Sequence, residues 1–370
     1  MTASMQPADA AASALIVGGY GVVGAQIAEV LSKRHPRLPL IIAGRSLDKA
    51  NACAHAYSSA RGMRIDATEA DPLANVSDDI GILVATVNDP SNALMRAAMR
   101  RGLPYLDITR WTERLMPAIV EATALAPRAP AVFASSWMAG VPGLIAAHLA
   151  SPLESVDRID LSILYGLKDR AGPNSVEYAD RLAESFQAFE DGQWVAVKPL
   201  SDAKEIQFPG GARLRTHRFS TPDGVILPYA TGAQSVGIRI TYDDARTAGL
   251  MAFLIRSGIW KAISGPTFKK LRHSLLYNPG PGAPHEMVIE VEGRDKTGDA
   301  RRITASVRDP QGQTHLTALG AVAQIEHVLG LNGARARSAG VHFAETHCDP
   351  PSVIAFLRSE GVAIEISIER

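Results

Sequence analysis

Short apolar runs, each ending in a glycine or polar turn, punctuate the first 140 residues. Ala14–Val17 is the first, and Leu38–Ala43, Met63–Ala67, Ile80–Ala85, Pro104–Thr109 and Ala129–Ala134 follow. Continuous apolar runs suit strands buried on both faces, whereas half-exposed strands alternate. Between them, Ala25–Lys33, Leu47–Arg61 and Ser91–Arg101 read as helices, the last with Arg100 and Arg101 in its final turn and Gly102 placed to cap it. Strand and helix in alternation require a parallel sheet covered by helices.

The pattern changes past about residue 150. Val156–Tyr165, Trp194–Lys198, Val225–Pro228, Ser235–Tyr242, Glu286–Gly293 and Arg302–Arg308 read as strands. Asn174–Glu190, Arg246–Ser264 and Thr314–Leu329 read as helices, then Pro350–Glu360 as a helix and Val362–Ile368 as a strand. The expected fold is α/β: a Rossmann doubly wound parallel sheet with a second α+β domain built on a mostly antiparallel mixed sheet. Expected boundaries are 1–140, 141–335 and 336–370, the last segment packing back on the first domain.

Composition narrows the class of protein. At 370 residues the chain exceeds what one core usually supports. Lys plus Arg and Asp plus Glu balance at 38 each, which argues against a nucleic-acid or anionic-membrane surface. The two cysteines, Cys53 and Cys348, form no disulfide framework and suit a reducing cytoplasm. No apolar run reaches membrane-spanning length, and residues 1–12 read as a frayed tail rather than a signal peptide.

The chemistry concentrates after the first strand. Gly19, Gly21 and Gly24 fit G-x-G-x-x-G, with Tyr20, Val22 and Val23 between them and a helix following. Gly19 would make the sharp turn, Gly21 would admit a pyrophosphate and Gly24 would allow close packing of helix on strand. The phosphates would sit on the free N–H groups of that helix. About 20 residues on, where an NAD site keeps an acidic residue, the chain has Arg45 and Ser46. A guanidinium fork suits a 2′-phosphate, so NADP is expected rather than NAD, although Arg45 also reads as a solvated residue opening a helix. Ligands bind beyond the carboxyl ends of such strands, which gathers Asp66, Thr86, Val87, Asn88, Asp107 and Thr109 to the same rim.

The glycine turn, Ala43–Arg45, the strand end at Asp66, Tyr105–Thr109, Gly140–Gly143 and Gly340–Glu345 occur in an order that resembles the saccharopine dehydrogenase-like oxidoreductases. The resemblance implies a Rossmann domain, a second domain on a mixed sheet, and nicotinamide-dependent hydride transfer at a carbon–nitrogen bond of an amino acid, opine-like secondary amine or imine. Members of that family often follow the Asp-x-Thr/Ser element with Gly-Glu, whereas this chain has Arg110 and Trp111.

An iminium substrate already carries positive charge, so a nearby carboxylate would suffice to stabilise it. Asp107 is the candidate, and it equally reads as the cap of its own turn. Tyr178 is a possible proton donor. Asn174 or Ser175 would cap the following helix and leave N–H groups for a carboxylate. Arg215, with Arg213 and His217 at period two, would face the same way and bind an anion or water. His342, His347 and Cys348 match no closed zinc spacing, so no metal is expected. The expected partners are a small-molecule substrate and a second copy in a homodimer. A ketone or enoyl reductase, or a non-catalytic NADP sensor, stays open beside the C–N reading.

Overall fold

A computed structural model describes residues 13–76, 79–172, 184–263, 268, 280–334 and 338–369. The described chain divides into two compact units. The first holds residues up to 110, 116–133 and 324–342, and the second holds 111–115, 134–323 and 343 onward.

In the first unit the strands are β1 (Ser13–Val17), β2 (Leu40–Gly44), β3 (Ala60–Arg64), β4 (Ile80–Ala85), β5 (Tyr105–Asp107) and β6 (Pro130–Phe133). They alternate with α1 (Val22–Arg34), α2 (Leu47–Ala54), α3 (Ala93–Arg101) and α4 (Thr112–Ala124). The sheet order is β3-β2-β1-β4-β5-β6, every neighbouring pair parallel. Ala14, Leu15 and Ile16 in β1 and Ile82, Leu83 and Val84 in β4 are fully buried, which is why these strands read as unbroken apolar runs. The strand order reverses between β1 and β4, and a crevice opens at that point beyond their carboxyl ends.

The second unit opens with α5 (Trp137–Ala150) and is built on β7 (Ser155–Tyr165), β8 (Phe186–Glu190), β9 (Gln193–Val197), β10 (Lys204–Gln207), β11 (Arg213–Arg218), β12 (Ser235–Tyr242), β13 (His285–Arg294) and β14 (Ala300–Asp309). Its helices are α6 (Asp223–Thr231), α7 (Ala245–Arg256), α8 (Ile259–Ala262), α9 (Gln313–Val328), α10 (Ala344–His347) and α11 (Pro350–Ser359). The strand β15 (Gly340–Phe343) adds to the edge of the first sheet beside β6, and β16 (Ala363–Glu369) pairs with β14. The second sheet runs β10-β11-β12-β7-β13-β14-β16, with β8 on β12 and β9 on β8. Only the β7–β12 pair is parallel among its described pairings, so the sheet is mixed and mostly antiparallel.

Several expected elements differ. Val225–Pro228 lies inside α6, which Asp223 opens and left-handed Gly232 closes, and a short apolar run alone cannot distinguish a buried helix from a strand. Phe186–Glu190, expected to end a helix, is β8, residues 184 and 185 before it are not helical, and residues 174–183 of that expected helix lie outside the described residues. The helix expected over 246–264 breaks at Gly258, where φ is +80°. The helix after β2 stops at Ala54, and β3 begins at Ala60, three residues earlier than read. The C-terminal segment does not return whole to the first domain: β15 joins the first sheet, while β16 joins the second.

Candidate functional site

The turn after β1 is built from backbone. Gly18 N–H donates to the Ala43 carbonyl at 2.7 Å, and Gly21 N–H donates to the Gly18 carbonyl at 2.8 Å. The left-handed residue is Gly18, with φ +93°, one position before the glycine to which the motif assigned the sharp turn. A Cβ there would stand 2.4 Å from Thr86 Oγ1 and 2.6 Å from Val87 Cγ1. A Cβ on Gly24 would lie 2.3 Å from the Gly18 carbonyl oxygen, so this glycine seats α1 against the turn. Gly21 meets only that carbonyl, at 3.0 Å, and is exposed. It caps α1 without a side chain, and the first turn of α1 carries no acidic residue. The first amides of the 13-residue helix therefore lack both an intrahelical acceptor and a capping side chain.

At the end of β2, the Tyr20 ring fills the space over Gly44, where a Cβ would be 2.5 Å from Tyr20 Cε1. Ser46 N–H donates to the Tyr20 hydroxyl at 3.2 Å. Ser46 Oγ accepts from Lys49 N–H and caps α2, which leaves its own O–H as a donor. Arg45 is exposed between them. Asp66 follows β3 in a turn of its own, accepting from Thr68 N–H at 3.0 Å and Thr68 Oγ1 at 2.7 Å. Those bonds, with Arg45 and Arg64 nearby, hold its carboxyl below the usual range.

The third side of the crevice comes from the ends of β4 and β5. Thr86 Oγ1 donates to the Val17 carbonyl at 2.9 Å, and Thr109 Oγ1 donates to the Val87 carbonyl at 3.2 Å. Thr86, Val87 and Asn88 are half-buried. Asp107, the expected charge stabiliser at the rim, is 0 % exposed. Its Oδ1 accepts from Thr109 N–H and Oγ1, and its Oδ2 accepts from the Tyr105 hydroxyl and Arg110 Nε, both at 2.7 Å. A carboxylate so engaged has no face for substrate, so the capping reading of Asp107 prevails over the catalytic one.

Of the expected substrate residues, Asn174, Ser175 and Tyr178 lie outside the described residues. Arg215 is exposed on β11 opposite Glu205, on the same face as Arg213, which pairs with Glu205. Arg213 and Arg215 thus stand on a solvated strand face. His342 Nε2 lies 2.8 Å from the Ser338 carbonyl, and among the described residues no His, Cys, Asp and Glu group is suited to a metal ion.

The second unit holds an acid cluster that the sequence did not announce. Ser136 Oγ donates to Glu345 Oε1 at 2.5 Å. Trp137 N–H and Thr221 Oγ1 both donate to Asp223 Oδ2 at 2.8 Å. Trp137 Nε1 donates to His285 Nε2 at 3.1 Å. Glu345 Oε2, Asp223 Oδ1 and His285 Nδ1 have no partner among the described residues. Burial, and then the charge of Asp223, raise Glu345 to about 8. Burial raises Asp223 to about 6 and lowers His285 to about 3. Three consecutive left-handed residues, Met138, Ala139 and Gly140, lie directly beside this cluster at the start of α5. Its members stand at positions 136, 223 and 345, a separation that no local pattern signals.

Residues 14–132 match the family model described as the saccharopine dehydrogenase NADP binding domain. The curated proteins compared contain no match. Among solved structures, the chain is similar to the apo L-Glu-forming saccharopine dehydrogenase of Saccharomyces cerevisiae, at 12% identity and a TM-score of 0.70, over 97% of this chain and 100% of that one. It is also similar to an amine dehydrogenase from Mycobacterium smegmatis, at 12% identity and a TM-score of 0.47, over 91% and 96% of the two chains. At 12% identity the likeness to the yeast enzyme is one of fold. No described helix is long and apolar enough to cross a membrane. Residues 14–132 thus match a saccharopine dehydrogenase NADP binding domain, and the chain shares its overall fold with a saccharopine dehydrogenase.

Proposed function

We propose that the protein uses NADP to transfer hydride at the C–N bond of an amino acid, an opine-like secondary amine or an imine. The observation that carries the cofactor choice is exposed Arg45 at the end of β2, beside the free hydroxyl donor of Ser46. What supports the reading is an uncapped α1 and a bare Gly21 where the pyrophosphate would lie, and a guanidinium fork where the 2′-phosphate would lie. Tyr20 would flank the adenosine end from its seat on Gly44. Thr86, Val87, Asn88 and Thr109 would line the side nearer the nicotinamide.

When bound, the reduced nicotinamide supplies a hydride to the carbon of a C=N bond, and the cation collapses to an amine. The chain's task is then to orient and to exclude, which a shelf of backbone and hydroxyl groups can do without a strong acid. The proposal includes a cytoplasmic homodimer, which sedimentation equilibrium of the full chain tests. The redox reading is tested by calorimetry with NADPH and NADH, then by NADPH oxidation over a panel of amines paired with keto acids. Tight NADPH binding with turnover on that panel supports it. Turnover only on ketones or enoyl compounds overturns the C–N assignment, and binding with no turnover on any class overturns the enzymatic one.

A further inference from the structure

We propose that Arg110 is a positioning residue for the cofactor, fixing the loops after β4 and β5 against the glycine turn; this rests on the NADP reading above. Arg110 is 4 % exposed, so the guanidinium acts through its neighbours and not on a ligand. Nε donates to Asp107 Oδ2 at 2.7 Å, on the β5 side. Nη1 donates to Asn92 Oδ1 at 2.5 Å, and Nη2 lies 3.6 Å from Asp89 Oδ2, both on the β4 side. One planar fork therefore spans two loops, a geometry that the point charge of a lysine does not reproduce.

Each anchor is itself fixed. Asp89 Oδ2 accepts from Met95 N–H in the first turn of α3. Asn92 caps α3 in a left-handed conformation, φ +57°, and donates from Nδ2 to Glu121 of α4 at 2.7 Å. On the other side, Asp107 orients Thr109, whose hydroxyl reaches the Val87 carbonyl. The stapled loop begins with Thr86 and Val87, which occupy the space a side chain on Gly18 would need. The staple thus sets the depth of the crevice between β1 and β4, on the side away from Arg45. Burial alone would pull the Arg110 guanidinium down, but Asp107 and Tyr105 more than reverse that, so it stays charged.

The test compares a fragment with the whole cofactor. 2′,5′-ADP samples the Arg45 side of the crevice, whereas NADPH also requires the β4 and β5 loops. For Arg110→Lys in the full chain, calorimetry should give 2′,5′-ADP affinity within about twofold of the parent and NADPH affinity weakened about tenfold or more, as misplaced positioning groups do. Asn92→Gly, which removes the acceptor of Nη1 at a position whose left-handed backbone suits glycine, should show the same split at a smaller size and decides the matter if Arg110→Lys does not fold. Unchanged NADPH affinity in the folded variants overturns the proposal. An equal loss for both ligands, tracking a lower denaturation midpoint, overturns it too, because a merely structural role predicts that. If the parent chain itself binds neither ligand, the NADP reading fails before the staple is reached.

Discussion

Replacing Glu345 by glutamine should abolish a loss of stability that the parent chain suffers as pH rises from mild acid through neutrality. Glu345 is 3 % exposed, and burial followed by the Asp223 charge raise its carboxyl from 4.5 to about 8. The groups facing it are the Ser136 hydroxyl at the start of α5 and Asp223 on α6, with His347 buried on its own helix α10 and His285 held neutral beyond Trp137. Below about pH 4.5 both the folded and the unfolded chain hold the proton, so the group contributes no pH dependence there. Between about pH 4.5 and about pH 8 the unfolded chain releases it while the fold retains it, and stability falls as pH rises. At roughly 1.4 kcal/mol per unit, the loss is about 3 kcal/mol at pH 7 and levels off near 5 kcal/mol above pH 8, as an upper bound. Glutamine keeps an acceptor for Ser136 and cannot ionise. Its amide placed at the unpartnered Oε2 position costs about 1–3 kcal/mol, but at every pH. The measurement is therefore a slope: urea midpoints of parent and Glu345→Gln from about pH 5 to about pH 9, with the difference widening in favour of the variant by more than ~2 kcal/mol. A difference that stays flat across that range refutes the buried proton.

Three further outcomes follow from the crevice. Arg45→Asp should weaken NADPH binding about 10- to 100-fold and favour NADH relatively, the loss expected for a charge-assisted fork, and equal losses for both cofactors in calorimetry would remove Arg45 from the site. Gly24→Ala places a Cβ against the backbone of Gly18 and Gly19, at 2.3 and 2.8 Å, and should lower stability by about 1–3 kcal/mol in urea; an unchanged midpoint contradicts the packing described. Gly21→Ala meets one carbonyl at 3.0 Å, so its midpoint should move by less than ~1 kcal/mol while NADPH affinity drops, and full affinity would show that the phosphates lie elsewhere.

Much of the first unit was readable because its information is local. Two-sided burial turns strands into apolar runs, and the glycines that let α1 approach β1 sit within a few residues of one another. Even there the motif placed the strain one residue late, since Gly18 and not Gly19 takes positive φ. The second unit carried one local signal that a helical reading overrode. Asp191 and Gly192, with φ of +48° and +76°, join β8 to β9 as a two-residue hairpin turn, and an Asp-Gly pair between β-rich stretches marks such a turn in sequence. The α6 segment gave no such sign, being apolar without period. The Ser136, Asp223 and Glu345 cluster and its members were invisible for another reason. Their meaning lies in partners that are distant along the chain, and no spacing rule relates them.

The first sheet is finished late in synthesis. Glu326 takes Arg34 Nε and His35 Nε2, each at 2.8 Å, and β15 covers the outer edge of β6. Both come from residues 324–342, roughly 190 residues after β6 has been made, and at about 5–20 residues per second a ribosome needs some 10–40 s to supply them. During that interval the nascent domain exposes a bare strand edge, and Arg34 and His35 await the Glu326 carboxylate they meet in the fold. A truncation ending at residue 133 would freeze that incomplete state, so an isolated cofactor domain should be expressed with the late segment grafted back.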